Sequence, residues 1–180
     1  MKATRRSLLS LGPIACLASA QSNPPALNTI ILVRHAETAG DTRTAKDPDL
    51  SPTGRARAQA LAKLLAAAGV THLFASEYQR TQATLAPLAK AFGIEVVVRP
   101  ARDAAAQVAA LEALKPGSVV VVAGHSNTVP ALVQSLGGRF PQPAETPAGP
   151  GLIAHGEYGR AFVLSGSSKA ARTTLELRYG

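Results

Sequence analysis

Two runs of branched apolar residues stand out in the hydrophobic pattern: Thr29-Ile30-Ile31-Leu32-Val33 and Ser118-Val119-Val120-Val121-Val122-Ala123. Each reads as a strand buried on both faces. Shorter runs at Thr71–Ala75 and Glu95–Val98 read the same way, and Tyr158–Leu164 and Thr173–Tyr179 read as two final strands, the last with clear alternation. Between the strands the apolar spacing turns helical. Ala58, Leu61, Ala62, Leu64 and Leu65 mark one helix, opened by Ser51-Pro52 as cap and first position and stopped by Gly69. Thr84, Leu85, Leu88 and Phe92 mark a second, which Pro87 is expected to kink or divide. Ala104–Leu114 and Val129–Leu136 complete the set, and Gly137–Gly151 reads as a long proline- and glycine-rich loop. Strand–helix alternation from Thr29 to Leu136 predicts an α/β fold: three layers, a mostly parallel β-sheet with helices on both faces.

The first twenty residues stand apart from this pattern. Lys2, Arg5 and Arg6 precede a weakly apolar stretch, and Ala18-Ser19-Ala20 offers a small-residue cleavage site before Gln21. Thr4-Arg5-Arg6-Ser7-Leu8-Leu9 resembles a twin-arginine export signal, with the general secretory route or lipidation at Cys16 as alternatives. The expected organisation is an export signal over residues 1–20, a single domain over 21–180, and a periplasmic or secreted location. The stretch is too short to span a membrane, so no stable insertion is expected after signal removal.

Composition sharpens this picture. The 180 residues suffice for one full core, and 46% are apolar. Loss of residues 1–20 would remove three of 19 basic residues and none of 11 acidic ones, taking the formal charge from +8 to +5. It would also remove the only cysteine, and with it any thiol nucleophile or thiolate metal site. A moderate positive charge suits an anionic substrate. With aromatics at 4% and the basic residues scattered, no nucleic-acid partner is expected.

The chemistry gathers where the two strongest strands end. The first runs into Arg34-His35-Ala36-Glu37-Thr38 and the second into Gly124-His125-Ser126-Asn127-Thr128. Open α/β sheets bind ligands at the carboxyl ends of their strands, so two histidines with an arginine beside them suggest an anion site and phosphoryl transfer through histidine. His72, His155 and Ser76 take plainer readings: a structural residue, a solvated loop residue with reach of the substrate as its alternative, and a helix cap with a phosphate-region contact as its alternative. Arg43, Lys46 and Arg102 read as surface charges able to widen the anion site. His35-Ala36-Glu37 also fits half of a zinc deaminase signature, but the paired-cysteine half is missing. A metal set of His35, Glu37, His125 and His155 is conceivable, though the charge of Arg34 opposes a cation.

Arg34-His35-Ala36-Glu37-Thr38, Ser76-Glu77-Tyr78-Gln79-Arg80-Thr81-Gln82-Ala83-Thr84 and Gly124-His125-Ser126, in that order, resemble the histidine phosphatase superfamily, the phosphoglycerate mutase-like proteins. Asp49-Leu50-Ser51-Pro52-Thr53-Gly54 resembles the family segment leading into the first helix, and the likeness extends from about Thr29 to the C-terminus. It implies that His35 is the nucleophile, that Arg34 and Arg80 clamp the phosphoryl oxygens, and that His125 donates to an equatorial oxygen. Asn127 is a further substrate-binding candidate, and no metal or other cofactor is implied because arginines supply the charge. For the leaving-group proton the resemblance points to Asp103, with Glu37 as the alternative. Members acting on phosphohistidine manage without such a donor, since imidazole is the better leaving group. Ala36 replaces the usual glycine, and the asparagine of mutase-type members is absent at Ala39-Gly40-Asp41. The expected activity is therefore metal-independent hydrolysis of a phosphorylated small molecule or of protein phosphohistidine. A mutase and a non-catalytic phospho-ligand binder are the alternatives, and the sequence leaves oligomeric state open.

Overall fold

The computed structural model describes residues 27–141 and 151–180. The expected export signal and most of the Gly137–Gly151 loop lie outside them. Six strands, β1 (Asn28–Arg34), β2 (His72–Ala75), β3 (Val96–Val98), β4 (Val119–Gly124), β5 (Arg160–Gly166) and β6 (Thr173–Arg178), form one sheet in the order β3-β2-β4-β1-β5-β6. β1, β2, β3 and β4 run parallel; β5 and β6 extend the sheet antiparallel.

The side-chain alternation of β1 and β4 builds both faces. Ile30, Leu32, Val120 and Val122 meet α3 (Ala104–Glu112) and α4 (Thr128–Ser135) through Leu111, Val129, Leu132 and Val133, with Leu136 joining just past the end of α4. Ile31, Val33, Val121 and Ala123 meet α1 (Pro52–Leu64) and α2 (Gln79–Phe92) through Leu61, Leu85 and Leu88. A strand with both faces covered has to be apolar throughout, which is why β1 and β4 read as continuous runs.

Three expectations shift. α2 is a single helix that contains Pro87. The buried Leu85 and Leu88 on either side of the proline anchor both halves to the sheet, and this packing outweighs the amide that proline lacks. α1 ends at Leu64, and Gly69, at φ +63°, sits in the turn that leads to β2. β5 starts at Arg160 rather than Tyr158 because Gly159, at φ +72°, lies outside the strand conformation. The cap at α1 is as read: the Ser51 side chain accepts from the Gly54 amide at 3.0 Å, with Pro52 in the first turn.

Candidate active site

All four parallel strands deliver their next residues to one edge of the sheet. β1 and β4 are neighbours with Arg34 opposite Gly124, and the His35 amide donates to the Gly124 carbonyl at 2.8 Å. His35 and His125 therefore stand side by side, their ring centroids 5.5 Å apart. A cavity of about 360 Å³ opens over them. Its walls include Arg34, His35, Thr42, Arg43, Tyr78, Arg80, Ala101, Arg102, His125, Ser126, Asn127, Thr128 and His155. No carboxylate is among these residues.

His35 is 3% exposed, and its Nδ1 lies 2.8 Å from the Ala36 carbonyl. A carbonyl only accepts, so Nδ1 carries the hydrogen and Nε2 keeps its lone pair. Burial is the main force on this ring and pushes its pKa down to about 3. The Ala36 carbonyl pulls the other way, while Arg34, His125 and Arg80 press it further down. Thr84 fixes the loop that follows: its hydroxyl accepts from the Ala36 amide at 2.9 Å and donates to the Arg80 carbonyl at 2.7 Å. One threonine thus ties the His35 loop to the helix that carries Arg80.

Both arginines are buried, Arg34 at 4% and Arg80 at 7% exposure. Arg34 donates from one terminal nitrogen to the carbonyls of Ala154 and His155 at 2.8 Å and of Glu157 at 3.1 Å, and stacks 4.2 Å from the Tyr158 ring. Arg80 lies 4.2 Å from the Tyr78 ring and pairs with Asp47 at 3.3 Å. The Nε–H of each is buried without a partner among the described residues. Both guanidinium groups belong to the cavity wall beside an uncharged imidazole, a setting that suits an oxyanion, which brings several acceptors at once.

Other predicted residues fall elsewhere. Asp103 is outside the cavity wall; its carboxylate accepts from the Ala106 amide at 2.9 Å as the cap of α3. The resemblance points to Asp103 as proton donor; in the structure one of its carboxylate oxygens caps α3 instead. Glu37 is also taken. Although burial works to raise its pKa, bidentate hydrogen bonds from Arg57 at 2.7–2.9 Å hold the carboxylate below its usual range. Glu37 is therefore an ionised structural partner, and the conceivable metal set loses its carboxylate. Among the described residues, no three of His, Cys, Asp and Glu gather as a metal would require.

One plain reading holds and one is corrected. His155 is an exposed turn residue, as read, and it also lines the cavity, where Arg34 binds its carbonyl and that of Ala154. Ser76 does not cap α2, which begins at Gln79 with no side-chain cap. Its hydroxyl instead lies 3.0 Å from His125 Nε2. β2 and β4 are adjacent, with Ala75 opposite Ala123, so the residues that follow them meet. That adjacency is the signal that would have revealed the contact. Arg43 and Arg102 reach the rim, Arg43 paired with Asp41. Lys46 is not among the lining residues, and His72 bonds to Thr71 away from the cavity.

The same burial predicts acid lability. Burial, followed by the charge of Arg80, pushes His125 down to about 4. An unfolded imidazole titrates near pH ~6.5, so below that value the unfolded chain takes up protons that the folded chain refuses. Stability is unaffected above that point. It falls with decreasing pH by about 1.4 kcal/mol per unit for each histidine, until the folded values are reached. Urea unfolding midpoints should drop steadily between about pH 6 and pH 4.5, and a His35→Asn, His125→Asn double variant should flatten the slope. A wild-type midpoint level across that window would contradict the assigned burial.

A basic cavity thus opens over uncharged histidines at the carboxyl edge of the parallel strands of an α/β fold. Residues 30–102 match the model of the histidine phosphatase superfamily (branch 1). The fold is shared with solved structures. The protein histidine phosphatase SixA complexed with tungstate superposes with a TM-score of 0.64 at 19% identity, over 83% of this chain and 96% of that one. A mycobacterial glucosyl-3-phosphoglycerate phosphatase gives 0.61 at 18% identity, over 85% and 98%. The SixA protein of Nakamurella multipartitia gives 0.58 at 25% identity, over 87% and 99%. No curated protein sequence matches. The family match therefore lies on residues 30–102, and the solved structures that share the fold include phosphatases.

Proposed function

We propose that the chain hydrolyses phosphomonoesters or phosphohistidine by passing the phosphoryl group through Nε2 of His35. The carrying observation is the state of that ring: buried, uncharged, its Nδ1 engaged by the Ala36 carbonyl, and set at a cavity wall that also carries the Arg34 and Arg80 guanidinium groups. A neutral imidazole of fixed tautomer is a nucleophile, and an imidazolium is not. Arg34 and Arg80 bind the phosphoryl oxygens and offset the charge that builds during transfer, which is the work a divalent metal performs in other phosphatases. Asn127 and the first amides of α4 lie at the same wall and add neutral donors. The likeness to a phosphatase of protein histidine and to one of a phosphorylated glycerate supports both substrate types.

A panel of aryl phosphates, sugar phosphates and a phosphohistidine peptide tests the reading. Turnover on at least one class, unchanged by a chelator, is expected. Phosphate binding with no turnover on any class would make the chain a phospho-ligand binder. Isomerisation of a phosphoglycerate primed with its bisphosphate would make it a mutase.

A further inference from the structure

With Asp103 capping a helix, Glu37 bound to Arg57 and no carboxylate among the described residues lining the cavity, an ester oxygen needs another source for its proton. A chain of hydroxyl groups behind His125 bears on where that source is. Ser76 Oγ lies 3.0 Å from His125 Nε2 and 2.9 Å from Thr81 Oγ1, and it accepts from the Tyr78 amide at 3.4 Å. All three side chains are buried.

The donors in this chain can be assigned by counting protons. Thr81 has one hydroxyl hydrogen and two carbonyls within reach, Tyr78 at 2.7 Å and Ser76 at 3.1 Å. With that hydrogen on a carbonyl, the contact between the two hydroxyl oxygens is a hydrogen bond only if Ser76 donates. Ser76 has then used its single hydrogen and can only accept from His125. Nε2 of His125 therefore carries a hydrogen. Nδ1 is left as the polar atom of the ring without a partner among the described residues, on a ring that forms the cavity wall 5.5 Å from His35.

We infer that Ser76 and Thr81 are positioning residues that lock His125 in its Nε2–H tautomer, so that Nδ1 carries the proton for the leaving group. A neutral ring in this tautomer presents a lone pair, and it becomes a donor only after gaining a proton. A monoester bound as its monoanion supplies one, passing its phosphoryl proton to Nδ1. Nε2 of His35 then bonds to phosphorus as the ester P–O bond breaks; the electron pair goes to the leaving oxygen, which takes the Nδ1 proton and departs as an alcohol. In the second half a water oxygen attacks phosphorus, the P–N pair returns to His35, and the water proton goes to Nδ1 before leaving with phosphate. The starting state of both histidines is restored. This scheme makes His125 acid and then base, roles that a purely electrostatic donor does not have.

The inference rests on the phosphohistidine reading, so its test uses leaving groups of different quality. On an alkyl phosphate, whose oxygen needs the proton, His125→Asn should lower kcat/KM at least about 10²-fold more than on dinitrophenyl phosphate, whose oxygen does not. Ser76→Ala should show the same selectivity to a smaller degree, with Thr81→Val as the second variant should the first fold poorly. Nitrogen NMR of the unsubstituted protein should show His125 as Nε2–H, and Ser76→Ala should give a mixture of tautomers. Equal losses on both substrates, or an Nδ1–H signal in the unsubstituted protein, would overturn the proposal. Failure to trap phosphate on His35 with dinitrophenyl phosphate would instead count against the phosphohistidine reading.

Discussion

Alanine in place of His35 is expected to lower turnover by at least about 10⁴-fold while phosphate binding survives. The expectation follows from how the labour is divided at the edge of β1. Arg34 and Arg80 hold the anion, and Nε2 of His35 supplies the only bond to phosphorus. Removing the ring leaves a charged cavity with no nucleophile, so inorganic phosphate or vanadate should still bind. The folded state should persist because Ala36, Leu50 and Ala58 form a packed cluster of their own beneath this loop, and because Thr84 continues to hold the Ala36 amide. Circular dichroism and phosphate titration of the variant check both halves. Comparable turnover in the variant would remove the nucleophile assignment.

The second large effect separates the two arginines. Arg80→Ala should lower kcat/KM by about 10²–10³-fold, the typical cost of deleting one preorganised donor to a developing oxyanion. Its remaining contacts, the Tyr78 ring and the half-buried Asp47, can be solvated, so its melting temperature should move little. Arg34→Ala should cost similar activity and also about 1 kcal/mol of stability, since partly buried carbonyls lose their donor. Three backbone carbonyls, of Ala154, His155 and Glu157, depend on that one nitrogen. Arg34 therefore both binds the anion and holds the chain segment that forms the opposite wall. Kinetics paired with urea titration distinguish the variants; equal stability losses would mean that Arg80 is also a structural anchor.

Much of this site was legible from the sequence because it grows from local rules. β1 and β4 are continuous apolar runs, and the residues directly after them, His35 and His125, have nowhere to go but the sheet edge. Arg80 was legible through its motif, and helical spacing places it on the same face as Thr84 and Leu88, which α2 buries. Contacts between distant segments were not readable. Ser76 looks like a helix cap to any local rule, and its real partner is His125 because β2 lies beside β4 in the sheet. Asp103 shows the converse: a carboxylate near a crevice in sequence that spends its oxygen on the Ala106 amide. His155 reaches the cavity because a buried guanidinium binds backbone carbonyls, an interaction that leaves no trace in side-chain pattern. Pro87 does not divide α2, because Leu85 and Leu88 pack on the sheet on either side of it.

The most direct measurement is to quench the protein during turnover of a fast-leaving aryl phosphate and locate the phosphoryl group by mass spectrometry under basic conditions. The account predicts an acid-labile phosphate on the peptide containing His35, formed and lost at the rate of turnover and absent in His35→Ala. Steady turnover with no phosphorylated histidine, or with the phosphate on another residue, would contradict it.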